Sequence, residues 1–202
     1  MSASSLVVVL MVSGFVAFAL AAEYYFYMDF TGRGWKQARN EFPPVAARLG
    51  LSLKEAAYDY EIGEISGDYR GYKVKVMPDK GARIELDMDH SANIDLDTDA
   101  DGQSGSKTGF QTVNFDAPVL NHYFKTRFAR ADVAERLAKS GELARFIEQF
   151  RSRWGRQVMR LRVENGFIRC SFPHGRQRYI PSQLIEPILK DLADLADILK
   201  SL

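Results

Sequence analysis

The sequence predicts an α+β chain: an N-terminal transmembrane helix followed by one soluble domain of antiparallel sheet and packed helices. Three observations predict it. An apolar run interrupted only by Ser13 and Gly14 fills residues 6–22. Apolar residues then alternate at period two through much of residues 58–115, as half-buried strands do. Beyond residue 133 the period lengthens to three and four, broken once by an Asn-Gly pair between apolar runs. The chain divides accordingly into a tail (1–5), a transmembrane helix with its aromatic interface (6–30), a juxtamembrane helical linker (31–56) and a soluble α+β domain (57–202).

The first element follows from its length. Seventeen residues from Leu6 to Ala22 rise about 25 Å as a helix, near the lower limit for a bilayer core. Tyr24, Tyr25, Tyr27 and Phe30 follow, as aromatic residues do at a membrane–water interface. Ala19-Leu20-Ala21 also fits a signal-peptidase site, but no Lys or Arg precedes Leu6, and a signal peptide opens on a basic patch. An uncleaved anchor is the expectation. Arg33, Lys36 and Arg39 lie only on its C-terminal side, which places the domain in the cytoplasm of a bacterial-type cell, single-pass in the inner membrane.

The elements of the domain come next. Pro44 suits a first helical turn and Gly50 a left-handed cap, so a short helix is expected between them. Tyr58-Tyr60-Ile62, Tyr72-Val74-Val76 and Ile84-Leu86-Met88 alternate and predict a meander, with Pro78-Asp79-Lys80-Gly81 as its second turn. Ile94–Leu96 and Phe110, Val113 and Phe115 extend it. The pattern beyond Asp116 is helical, through Val133, Leu137, Leu143, Phe146, Ile147 and Phe150. A hairpin turning at Asn165-Gly166 joins Val158–Val163 to Phe167–Cys170. A helix from about Ser182 closes the chain, with Pro187 expected to kink away or exclude its first turn.

Arg48-Leu49-Gly50-Leu51, Ser66-Gly67-Asp68-Tyr69-Arg70-Gly71-Tyr72, Thr108-Gly109-Phe110 and Phe115-Asp116 occur in an order that resembles a broad group of uncharacterised bacterial single-span membrane-anchored domains. The resemblance covers about residues 47–200. Its motifs are short and glycine-based, so it implies turns and an anchored domain, and no reaction.

Composition bounds the function. The chain has 202 residues, 46% of them apolar and 26% charged, which excludes a disordered chain. Cys170 is the only cysteine, so no disulfide forms within the chain. The net charge of +1 conceals an asymmetry: residues 1–102 carry 10 Lys/Arg against 16 Asp/Glu, and residues 103–202 carry 17 against 10.

Two constellations follow from that asymmetry. Asp97-Thr98-Asp99-Ala100-Asp101-Gly102 has the alternating carboxylates and glycine that open a calcium loop. Asp97, Asp99 and Asp101 are the candidate ligands, calcium the candidate cofactor. The twelfth position holds Thr108 where a bidentate Glu is needed, so the plainer expectation is a solvated acidic loop at a sheet edge. The opposite feature is basic. Between Asn121 and Arg178 there are 14 Lys/Arg against 5 Asp/Glu, and Arg151, Arg153, Arg156, Arg160 and Arg162 cluster there. Such a face holds an acidic protein, anionic lipid headgroups or nucleic acid, or simply complements the acidic loop. An anchored domain favours lipid or protein over nucleic acid.

Nothing points as clearly to catalysis. His90, His122 and His174 are far apart and no ligand-spaced pair occurs. Cys170 lies in an apolar run, where a thiol is structural. No phosphate loop, serine elbow or dinucleotide fingerprint is present. The expectation is a non-enzymatic accessory or scaffolding subunit that binds or caps an integral membrane protein complex. A calcium-dependent extracytoplasmic binding domain and an anchored enzyme with an unrecognised site are the alternatives.

Overall fold

The computed structural model describes residues 3–27, 34–58, 61–79, 81–88, 94–98, 109–124, 126–173 and 179–202, with residues 3–11, 25–27, 34–35 and 126–128 described as backbone only. In chain order the elements are α1 (Ala3–Tyr27), α2 (Gly34–Leu49), β1 (Ser52–Lys54), β2 (Glu64–Tyr69), β3 (Tyr72–Met77), β4 (Arg83–Asp87), β5 (Ile94–Asp97) and β6 (Gln111–Thr112). Then come α3 (Pro118–Tyr123), β7 (Thr126–Ala129), α4 (Ala131–Lys139), α5 (Gly141–Trp154), β8 (Arg160–Glu164), β9 (Phe167–Ser171) and α6 (Ser182–Ser201). The fold is α+β. Among the described residues nine strands join one antiparallel sheet in the order β1-β2-β3-β4-β9-β8-β5-β7-β6.

The helix α1 corrects the expected transmembrane span. The apolar run is helical. Among the described residues no helix is long and apolar enough to cross a membrane. The single-pass placement in an inner membrane, and the orientation read from Arg33, Lys36 and Arg39, go with it.

The segment read as a linker (31–56) supplies α2 and β1 to the common core. Ala38, Phe42, Val45 and Ala46 are buried, a stripe at i, i+4, i+7 and i+8 that lays one face of α2 on the domain. The helix continues through Pro43 and Pro44 rather than starting there. Its end is as expected: Gly50 takes φ +68°, and the Leu51 N–H bonds back to the Ala46 carbonyl at 2.9 Å.

The strands β2, β3 and β4 form a meander whose first strand is Glu64–Tyr69; of the expected Tyr58–Ile62 strand, Tyr58 and Ile62 lie in no strand and Tyr60 lies outside the described residues. Gly67 interrupts the apolar pattern of β2, which hid it. Arg70 and Gly71, at φ +54° and +83°, close the β2–β3 turn, the paired left-handed conformation that two-residue hairpins need. Asn165 and Gly166 do the same between β8 and β9, at +51° and +81°.

The meander does not continue into β5. β9 pairs with β4, and β8 lies between β9 and β5, with Glu85 opposite Arg169 and Arg162 opposite Asp97. A further strand, β7, interrupts the segment expected to be helical. The helical run that follows is two helices, parted at Ser140, whose side-chain oxygen accepts the Leu143 N–H at 3.1 Å as the N-cap of α5.

On one face of the sheet Ile65, Val74, Val76, Ile84, Leu86, Leu161, Val163, Ile168 and Cys170 are buried. There α6 packs against β4, and α2 and α5 pack against α6. Helix α6 keeps its first turn and includes Pro187, because its apolar stripe (Ile185, Ile188, Leu189, Leu192, Leu195 and Leu199) is buried throughout. Packing outweighs the missing backbone donor.

Candidate functional site

The five arginines of the basic cluster do not share a face. Side chains of a strand alternate between faces. Leu161 and Val163 take the core side of β8, so Arg160 and Arg162 project from the face opposite the helices. Arg151, Arg153 and Arg156 lie at and just beyond the C-terminal end of α5, within the helical layer.

On the open face the charges form a ladder. Ser66, Lys75, Glu85, Arg169, Arg162 and Asp97 stand side by side across six strands. Both oxygens of the buried Asp97 carboxylate accept from Arg160, through its Nε at 2.7 Å and one terminal nitrogen. The Arg162 Nε is 3.5 Å from Asp97, and its terminal nitrogen is 2.7 Å from Glu164. Further along, Arg169 and Arg83 both donate to the same oxygen of Glu85, at 2.7 and 2.9 Å, and Lys75 is 2.7 Å from Glu64. Cross-strand opposite charges stabilise a sheet and like charges oppose it. Arg162 opposite Arg169 is tolerated because each has a carboxylate on its other side. The basic strand face is therefore compensated within the molecule, partly by the residue that opens the acidic loop.

Of the three candidate calcium ligands, Asp97 ends β5 and is held as above. Thr98 extends that pairing, donating its N–H to the Leu161 carbonyl at 3.1 Å and accepting the Leu161 N–H on its hydroxyl at 3.0 Å. Asp99 and Asp101 lie outside the described residues. Among the described residues no three His, Cys, Asp or Glu groups converge to hold a metal ion.

The end of α5 is built differently. Asp191 on α6 is buried, and its carboxylate accepts from Arg153 at 2.8 and 3.0 Å and from the Trp154 indole N–H at 2.5 Å. Arg153 thus ties α5 to α6. Arg151 lies over the Tyr123 ring, 5.9 Å from its centroid. Burial is the main cause that pushes the Tyr123 phenol up to about 12. Arg156 is exposed just past the helix. Cys170, fully buried among apolar side chains, has its thiol pushed up by burial alone, which leaves no thiolate for nucleophilic chemistry.

Among the described residues most of the exposed large apolar side chains lie elsewhere, on α1. Every described side chain of α1, from Val12 to Tyr24, is exposed, with Phe15 and Phe18 at 74%. The sequence marked this run as apolar; its lack of cover from the domain is what the structure adds. Glu85, Glu164 and Asp191 were not read from the sequence as partners of the arginines. A signal for the first two existed: Arg83-Ile84-Glu85-Leu86-Asp87 and Arg160-Leu161-Arg162-Val163-Glu164 alternate charged with apolar residues, which marks one polar face carrying both signs.

No protein-family model matches the chain, and no curated protein matches it. Among solved structures it is similar to the crystal structure of the mycobacterial trehalose monomycolate transport factor A, TtfA. The TM-score is 0.56 at 14% sequence identity, and the match covers 84% of this chain and 97% of that one. At that identity the likeness is one of fold.

Proposed function

We propose that this chain is a non-enzymatic accessory factor that docks on a larger membrane protein complex. The observation that carries the reading is α1. An apolar helix exposed on all its described faces is an unsatisfied surface, and the apolar flank of a partner protein satisfies it. The fold supports the same reading, since a protein it resembles is described as a transport factor. Of the basic residues, Arg151 and Arg156 are the ones assigned to partner or anionic headgroup contact. Arg153 holds α5 to α6, and Arg160 and Arg162 are engaged with Asp97.

The test is co-purification in mild detergent from cells making three versions: the full chain, the chain lacking residues 1–27, and the full chain with Arg151→Gln and Arg156→Gln. The truncated chain is expected to lose the co-purifying complex. The arginine variant is expected to hold it less firmly, since exposed charges act over only about 8 Å at physiological ionic strength. If all three versions retain the same partners, or the full chain retains none, the docking reading fails.

A further inference from the structure

No further inference is drawn: the strongest candidate, the cavity at the β1–β3 corner of the sheet lined by Glu55, Glu61, Glu64 and Asp79, is an acidic cluster offset by Lys54, Lys75 and the nearby Arg39, and nothing in it points to a ligand.

Discussion

Asp97 shows how far a single residue can be read from sequence. Its place at the head of Asp97-Thr98-Asp99-Ala100-Asp101-Gly102 speaks for calcium, yet the strand pairing that sets it opposite Arg162 depends on residues more than sixty positions away. A carboxylate already chelated by a guanidinium has little to gain from a cation. Millimolar calcium is therefore expected to leave the melting temperature within about one degree, as ligand linkage requires when nothing binds. A rise of several degrees that disappears in Asp99→Ala would make the loop a calcium site after all. Tyr72 offers a second test at this scale. Its hydroxyl donates to Asp197 at 2.5 Å. Burial first, then that hydrogen bond and the Asp197 charge, push its phenol up to about 12. A folded-state value above the unfolded value of about 10 favours the folded chain fully below pH 10, and that contribution is lost as pH rises through 12. Phenolate absorbance of the folded chain should accordingly show Tyr72 and Tyr123 titrating at about pH 12. In Tyr72→Phe the loss of stability between pH 10 and 12 should be shallower. An equal slope in both proteins would mean that Tyr72 ionises freely.

At the scale of elements, what was legible is what the chain specifies locally. The Asn165-Gly166 turn, the cap at Gly50 and the alternating strands β3 and β4 are dictated by neighbouring residues, and the structure has them. The elements missed are those whose local signal is weak or contrary. Gly67 blurs β2, and β7 has only four residues. Pro44, read as the first turn of a helix, and Pro187, read as kinking or excluding a first turn, instead lie inside helices that tertiary packing carries through. Pro187 permits a direct measurement. It lacks the N–H that would bond to the Gln183 carbonyl, and its ring crowds that turn. Pro187→Ala is expected to raise stability by about 1–2 kcal/mol, the helical gain less the added entropy of the unfolded chain. Urea unfolding is the check. A loss of stability would show instead that the proline bend seats the first turn of α6, where the Ser182 hydroxyl donates to Glu41 at 2.7 Å.

For the whole molecule, the sequence yielded an α+β domain with an antiparallel sheet and the burial of most of the apolar periodic residues, but the transmembrane helix it put before that domain is overturned. It did not yield the order of the strands, because apolar alternation says which face of a strand is buried and not which neighbour it takes. The candidate site was legible only as composition: the acidic and basic stretches were visible, but not that β5 and β8 press them together. Nor could periodicity reveal that the described side chains of α1 are all left exposed. That exposure predicts its energetics. Removing residues 1–27 should leave the melting temperature of the remainder unchanged within about one degree, because none of the described α1 side chains is buried. It should also increase solubility without detergent. A fall of several degrees would mean that α1 packs on the domain. The strand order also constrains how the chain can be made. β4 waits for β9, and Glu85 meets its neighbour Arg169 only 84 residues later. At ribosomal rates of about 5–20 residues per second, that is an interval on the order of 10 s. Through it the nascent meander presents a bare hydrogen-bonding edge at β4, open to pairing with other chains. Charged side chains on an edge deter such pairing, and Arg83 and Glu85, which later join the ladder, are charges that this edge carries until β9 arrives.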